Sequence, residues 1–112
     1  MNPRQISEDY TVSPQISVED VQTIKDAGFK SVICNRPDNE DPGQVSVEAI
    51  RNAVEAAGLA FRHVPVVSGQ MTVADVEAQA EALEGLEGPV LAYCRSGTRS
   101  ANLYAGVQQL KG

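Results

Sequence analysis

Residues 89–94 (PVLAYC) form a nearly continuous apolar run, and this run constrains the fold more than any other part of the chain. A short segment without polar alternation is typical of a strand buried on both faces, as in parallel sheets that are covered by helices. Polar residues 95–100 follow at once, and apolar residues then recur at helical spacing as far as Leu110. The run therefore predicts a central strand that leads through a short polar loop into a helix.

The rest of the chain predicts an alternation of strands and helices. Ser17, Ser46 and Thr72 stand where helix N-caps are expected, and Gly28 and Gly58 supply helix ends. The other predicted strands cover residues 10–12, 29–34 and 60–67. This alternation indicates an α/β fold with a central, mainly parallel sheet flanked by helices. The length of 112 residues predicts a single domain over residues 1–112.

The composition argues against several classes of partner. A net charge of −6 would repel phosphate backbones, so we expect no nucleic-acid partner. No apolar stretch reaches the length of a membrane span, and the first residues lack the apolar core of a signal peptide. Two cysteines within apolar strand patterns are typical of reduced thiols in the cytosol. We therefore expect a cytoplasmic protein without a membrane partner.

Metal and cofactor sites are also not expected. The chain has one histidine and two cysteines that are far apart in sequence, which is not a spacing typical of metal ligands. It also has no glycine-rich nucleotide-binding motif. Any chemistry is therefore expected to come from side chains alone.

The loop after the apolar run predicts a cysteine nucleophile. Cys94 ends the strand at the edge where ligands bind in parallel sheets, and a helix N-terminus follows within a few residues. Cationic and hydroxyl side chains with a flexible glycine would stabilise a thiolate and an oxyanion beside it. We predict Arg99 as the catalytic arginine, and the other predicted anion-binding residues are Arg95, Ser96, Gly97, Thr98 and Ser100. The alternative is a buried structural cysteine followed by a polar turn.

Residues outside this loop are weaker candidates. Arg36 follows a predicted strand at the same edge of the sheet and could add a positive charge, although a solvated turn explains it equally well. His63 and Ser68 are candidate substrate contacts, with a packed or surface role as the alternative for the histidine. Cys34 is expected to be a small core residue, and the alternative is a resolving thiol near Cys94.

The chain resembles two families. Residues 94–99 (CRSGTR) are similar to the active-site loop of rhodaneses. The chain is also similar to DUF442, the phosphatase-like domain of beta-lactamase hydrolase-like proteins. This resemblance covers about residues 16–105, and its strongest parts are residues 35–38 (NRPD) and 93–100 (YCRSGTRS). This resemblance implies a cysteine-dependent protein-tyrosine or dual-specificity phosphatase fold. It also implies a functional link to persulfide dioxygenase or sulfide:quinone oxidoreductase modules, to which members of the family are fused.

Two departures from the phosphatase pattern bear on mechanism. Phosphatases of this class place five residues between cysteine and arginine, whereas four separate Cys94 from Arg99. They also carry an aspartate just after the strand that corresponds to residues 61–66. Here residues 67–70 (VSGQ) follow that strand, and the nearest carboxylate, Asp75, lies in the next helix. Without an acid to protonate an alkoxide, ester hydrolysis would lose a large rate factor.

These departures make sulfur transfer the first expectation. A thiolate that attacks a sulfane sulfur expels sulfite or another thiolate, and neither leaving group needs a proton. We expect Cys94 to take sulfur from thiosulfate or glutathione persulfide as a cysteine persulfide and to pass it to a small thiol or cyanide. The alternative is a phosphatase that acts on phosphate monoesters through a phosphocysteine. A further alternative is a binding module of low activity in a sulfide-oxidation system.

Overall fold

One five-stranded sheet runs through residues 1–111, the part of the chain that the computed structural model describes. Four helices accompany the strands. In chain order the elements are β1 (Arg4–Ser7), β2 (Tyr10–Ser13), α1 (Asp20–Asp26), β3 (Ser31–Cys34), α2 (Val47–Ala56), β4 (Ala60–His63), α3 (Val73–Gly85), β5 (Val90–Tyr93) and α4 (Thr98–Leu110).

The strand predicted from the apolar run is the centre of the sheet. The strand order is β1-β2-β5-β3-β4, and β5 pairs in parallel with both β2 and β3. Leu91 lies opposite Thr11 on one side and Val32 on the other. All four residues of β5 are buried, and only β1 runs antiparallel to its neighbour. The predicted α/β fold with a mainly parallel sheet is confirmed.

Helices cover both faces of the sheet, and the two faces have separate cores. On one face Ile24 of α1 and Ile50 of α2 pack with Leu91, Tyr93 and their neighbours. On the other face Tyr10, Ile33 and Ala92 pack with residues of α3 and α4. Because side chains alternate along a strand, β5 contributes to both cores in turn. Cys94 follows β5 directly, in the loop at the carboxyl end of the sheet.

The two cysteines have different surroundings, since Cys34 lies in a strand and Cys94 lies in the loop after β5. Cys34 lies opposite Tyr93 in the register and packs in the core formed with α1 and α2. Its thiol is 3.3 Å from the Arg36 carbonyl oxygen, and burial raises the pKa of the thiol. This arrangement fits the expected core role of Cys34 and does not fit a resolving thiol for Cys94.

Helices α3 and α4 approach each other closely at Gly106. A Cβ atom at this position would meet two methyl carbons of Val76 at 3.0 Å. Such a separation is tighter than ordinary packing contacts, so the absence of a side chain at residue 106 sets how near α4 can lie to α3.

The local helix signals are mostly confirmed. The Ser46 hydroxyl accepts a hydrogen bond from the Ala49 N–H, and Thr72 and Asp75 form a complete capping box. Helix α1 begins at Asp20, three residues after the predicted cap, because a tight turn intervenes. The Ser17 N–H nevertheless donates to the Asp20 carboxylate over 2.9 Å, as a capping box requires.

Two strand predictions differ from the structure. Strand β4 ends at His63, whereas the sequence pattern extends it to residue 67. The chain beyond still follows β3 through bonds from the Val64 and Val66 N–H groups to the carbonyls of Cys34 and Asn35. Strand β1 was not predicted, because its side chains are mostly exposed and lack apolar alternation. None of the helices within residues 1–111 is long and apolar enough to cross a membrane.

Candidate active site

The loop that joins β5 to α4 is anchored by its backbone. The Cys94 N–H donates to the Ser13 carbonyl over 3.3 Å, and the Gln15 N–H donates to the Arg95 carbonyl over 3.2 Å. Gly97 is the N-cap of α4 and has a φ of 94°, which is in the left-handed region that favours glycine. The loop thus turns sharply from the buried strand into the helix.

The sulfur of Cys94 lies inside this turn. The Gly97 N–H donates to Sγ over 3.1 Å, and the first N–H groups of α4 have no intrahelical acceptor. Together these groups and the helix dipole stabilise negative charge on the sulfur and on an anion beside it. Cys94 is fully buried, with 0% of its surface exposed, so the atoms of the loop separate the sulfur from solvent.

Arg99 is held along one edge of its guanidinium. Its Nη1 donates to Glu40 Oε2 over 2.6 Å and to the Val66 carbonyl over 2.9 Å, and its Nη2 donates to Glu40 Oε1 over 2.9 Å. A guanidinium has five N–H donors, so Nε–H and the second Nη2 hydrogen remain along the other edge. Glu40, and to a smaller extent Cys94, raise the pKa of Arg99. The second edge is therefore available to an oxyanion near the sulfur.

The arginines and carboxylates around the loop form one chain of ion pairs with alternating charge. Glu40 joins Arg99 to Arg36, whose Nε lies 2.7 Å from Oε1. Asp41 joins Arg36 to Arg95, at 2.7 Å and 3.2 Å. Hydrogen bonds from Arg99 hold the pKa of Glu40 below its usual range. Partial burial opposes this effect, and Arg36 adds to it. Glu40 and Asp41, which follow β3, therefore bind one arginine near each end of the cysteine loop.

Arg36 has a different position from the one that its sequence pattern suggests. Its guanidinium is buried and donates to Glu40, Asp41 and the Gln15 side-chain oxygen. With Nε and both Nη atoms engaged, Arg36 orients the two carboxylates and does not line the cleft beside the loop. These contacts use three of its five N–H donors, and the anion-binding role of Arg36 stays a prediction.

A cleft of about 750 Å³ opens beside the loop. Its walls combine the segment after β4 with the start of α4 and include Val67, Ser68, Met71, Ser96, Thr98 and Arg99. Arg95 also lines the cleft. The candidate contact Ser68 is thus beside the predicted anion-binding residues. His63 is not among the lining residues within 1–111, and its ring Nε2 donates to the Arg36 carbonyl over 3.0 Å.

Ser100 belongs to a buried polar network behind the loop. Its hydroxyl donates to Asn35 Oδ1 over 2.8 Å, and its carbonyl accepts from the Tyr10 hydroxyl over 2.8 Å. Gln79 of α3 completes the network through hydrogen bonds with Asn35 and Tyr10. Burial raises the pKa of Tyr10, so its hydroxyl remains a donor. The Ser100 side chain therefore fixes the start of α4, which differs from the predicted direct contact with an anion.

Sequence reasoning missed Glu40, Asp41 and Gln79. Glu40 and Asp41 lie in the polar segment after β3, and the structure places them next to the cysteine loop. The available signal was their position: they follow a parallel strand beside the one that ends in Cys94, so they share its edge of the sheet. The burial of Gln79 could not be predicted, because no sequence pattern in its helix distinguishes it from an exposed polar residue.

Comparison with known proteins identifies the family. Residues 2–111 match the family described as beta-lactamase hydrolase-like protein, phosphatase-like domain. A relative from Agrobacterium fabrum, named beta-lactamase hydrolase-like protein, is 37% identical over 112 residues, which is 100% of this chain and 26% of the relative. A relative of the same name from Xylella fastidiosa (strain Temecula1) is 39% identical over 89% of this chain and 23% of its own length. The chain thus spans about a quarter of the length of these curated relatives.

Solved structures agree with this assignment. A candidate phosphatase from Neisseria meningitidis Z2491 superposes with a TM-score of 0.84 and 38% identity, covering 90% of this chain and 72% of that one. The core catalytic domain of the PP-IP phosphatase SIW14 from S. cerevisiae shares the fold, with a TM-score of 0.70 and 17% identity over 98% of this chain and 66% of that one. The predicted resemblance to DUF442 is confirmed. The chain belongs to the family of phosphatase-like domains of beta-lactamase hydrolase-like proteins and has the cysteine-dependent phosphatase fold.

Proposed function

We propose that the chain is a phosphatase that hydrolyses phosphate monoesters through a phosphocysteine at Cys94. The observation that carries the proposal is the geometry around the sulfur. The Gly97 N–H donates to Sγ, and Glu40 holds Arg99 so that one guanidinium edge stays free. A planar edge with two parallel N–H groups matches two oxygens of a phosphoryl group.

The reaction follows from this arrangement in two steps. The Cys94 thiolate attacks phosphorus, an S–P bond forms, and the bond to the leaving oxygen breaks. Loop N–H groups and Arg99 stabilise the charge that develops on the phosphoryl oxygens, and this kind of stabilisation is often the largest contribution to catalysis. Water then attacks the phosphocysteine and releases phosphate. Arg95, at the rim of the cleft, attracts the dianion toward the loop.

The names of the relatives favour this function over the sulfur transfer expected from the size of the loop. The Neisseria protein is named a phosphatase candidate and matches most of this chain. SIW14 is named a PP-IP phosphatase and has the same fold. These names describe those proteins, and for this chain they support phosphoryl transfer as the first activity to test.

The test uses p-nitrophenyl phosphate with wild type, Cys94→Ser and Cys34→Ser. Cys34→Ser is a matched control because this thiol is buried in the core formed with α1 and α2. We expect phosphate release and an acid-trapped phosphoryl group on the Cys94 peptide in wild type and the control, and neither in Cys94→Ser. Folded wild-type protein that releases no phosphate would contradict the proposal.

Sulfur transfer is a second candidate, and one observation favours it. Both carboxylates beside the cleft, Glu40 and Asp41, are ion-paired with arginines. Sulfite and thiolates leave without a proton, so a site without a free acid suits them. Here Cys94 would carry a persulfide taken from thiosulfate or glutathione persulfide, which fits the suggested link to persulfide dioxygenase or sulfide:quinone oxidoreductase.

Intact mass after incubation with thiosulfate separates the two candidates. Sulfur transfer predicts a gain of one sulfur atom on Cys94 and thiocyanate formation when cyanide is added. Cys94→Ser should abolish both, and Cys34→Ser should retain both. A folded protein that forms neither thiocyanate nor phosphate would favour the binding-module alternative.

A further inference from the structure

The basicity of the leaving oxygen decides whether a phosphatase needs a proton donor. An aliphatic alkoxide is about as basic as hydroxide, so the pKa of its conjugate acid lies far above that of a phenol. A phenol such as tyrosine has a pKa of about 10. A positioned acid accelerates departure by roughly 10²–10⁴-fold. A phosphatase that cleaves alkyl esters therefore benefits from an acidic side chain within reach of its cleft.

Glu40 is near the cleft and is held in its ionised form. Its Oε1 accepts from Arg36 and Arg99, at 2.7 Å and 2.9 Å, and its Oε2 accepts from Arg99 at 2.6 Å. These contacts, with that of Arg99 the strongest, hold the pKa of Glu40 below its usual range. Glu40 therefore acts as an acceptor that orients Arg99.

Asp41 is bound in the same way at the more exposed end of the ion-pair chain. Its Oδ2 accepts a hydrogen bond from Arg36 Nη2 at 2.7 Å and is ion-paired with Arg95 Nε at 3.2 Å. Both arginines contact the same oxygen, and in these contacts the carboxylate serves as an acceptor and ion-pair partner.

The remaining candidates are occupied or chemically unsuited. The Asp75 carboxylate accepts from the Thr72 N–H in the capping box, and the His63 ring donates to a backbone carbonyl. Within residues 1–111, the side chains that line the cleft are apolar groups, hydroxyls, one amide and two guanidinium groups. None of these releases a proton readily near neutral pH.

We infer that this site cleaves phosphoryl groups only from weakly basic oxygens, which depart as anions without protonation. The inference rests on the proposed phosphatase function and names its substrate class. Phenols and the phosphate end of a phosphoanhydride share this chemistry, whereas aliphatic alcohols do not. The cleft thus selects substrates by the stability of the departing anion.

The bond changes balance without an acid. The thiolate forms the S–P bond, and the P–O bond breaks with its electron pair remaining on the leaving oxygen. Water then attacks phosphorus, and the S–P electron pair returns to sulfur. The sum is ROPO₃²⁻ + H₂O → RO⁻ + H₂PO₄⁻, so the thiolate is regenerated.

The test compares leaving groups of different basicity on the wild-type protein. The probes are p-nitrophenyl phosphate, phenyl phosphate, benzyl phosphate and benzyl diphosphate. We expect kcat/KM to fall on the order of 10²-fold from the first to the second, and benzyl phosphate to be slower still, because no acid offsets the rising basicity. If the terminal phosphate of benzyl diphosphate is released, phosphoanhydrides belong to the substrate class. If it is not released, the substrate class is restricted to phenyl esters.

Two substitutions make the test sharper. Ser68→Asp places a carboxyl group in the cleft and, relative to Ser68→Asn, should raise benzyl phosphate turnover by about tenfold or more. Asp41→Asn should change all leaving groups by a similar factor. A loss confined to benzyl phosphate, together with loss of a high-pH limb in the rate profile, would identify Asp41 as an acid and overturn the inference.

The possible failures are distinct. Equal kcat/KM for p-nitrophenyl and benzyl phosphate would overturn the inference and leave the proposed phosphatase intact. Folded wild-type protein that forms no phosphocysteine with any probe would remove the proposed function, and the inference would fall with it.

Discussion

The two arginines of the cysteine loop carry the same charge in very different surroundings. The Arg99 side chain is 11% exposed and binds both oxygens of Glu40, whereas the Arg95 side chain is 67% exposed and makes one contact of 3.2 Å with Asp41. A fixed guanidinium can meet a transition state without reorganising, but an exposed one mainly supplies attraction that salt screens. The two arginines therefore differ in position and not in charge: Arg99 is held in place, whereas Arg95 is largely free in solvent.

The largest effect is expected from Arg99→Ala. Loss of an oriented donor at the developing charge should lower kcat/KM for p-nitrophenyl phosphate by about 10²–10³-fold. Arg99→Lys should recover little of this loss, since an ammonium group cannot provide two parallel donors. Steady-state kinetics with circular dichroism as the folding control measures both variants. An Arg99→Lys enzyme close to wild type would show that charge alone is sufficient.

A smaller effect is expected from Glu40→Gln, which keeps the shape of the side chain and removes its charge. Arg99 would lose its fixed partner, so kcat should fall by roughly tenfold while KM changes less. Lost charge-assisted hydrogen bonds should also lower the free energy of unfolding by about 1–3 kcal/mol near neutral pH. Urea unfolding and kinetics on the same samples check both. An unchanged kcat would mean that Arg99 is oriented without Glu40.

The same variant should change the pH dependence of stability. Glu40 has a pKa below its usual 4.5, so the folded state binds its proton less readily than the unfolded state. Its contribution is therefore present above about pH 4.5 and is lost as the pH falls through the lower folded pKa. We expect a shallower acid decline of unfolding free energy in Glu40→Gln than in wild type. Parallel pH curves would contradict this assignment.

The smallest effect is expected from Arg95→Ala. An exposed ion pair contributes little, so the unfolding free energy should change by less than about 0.5 kcal/mol. KM for p-nitrophenyl phosphate should rise by roughly two- to fivefold at low salt, and the difference should shrink as salt is added. A fall in kcat as large as that of Arg99→Ala would remove the distinction between the two arginines.

The parts of the fold that could be predicted depend on local signals. Ser46 and Thr72 mark helix starts through contacts within three residues, and the apolar run marks the central strand because burial on both faces leaves no polar alternation. Strand β1 has no such signal, since an exposed edge places few demands on its side chains.

In the site, too, the contacts between residues close in sequence could be predicted and the long-range contacts could not. Cys94, Gly97 and Arg99 are close in sequence, so their proximity could be predicted. The pairing of Arg99 with Glu40 joins residues that are distant in sequence and are brought together only when β3 and β5 align. Sequence spacing could place the acidic segment at the correct edge of the sheet, but it could not assign which carboxylate meets which arginine.

The close approach of α3 and α4 at Gly106 constrains the position of α4, the helix that begins at the cysteine loop. Gly106 is about two helical turns beyond Arg99 on the same helix. A single added methyl group would press on Val76 and push α4 away from α3. Because Arg99 lies in the first turn of α4, we expect such a shift of the helix to change the distance between the Arg99 guanidinium and the Cys94 sulfur. A glycine at residue 106 therefore helps to set where the first turn of α4 lies, although it is itself far from the sulfur.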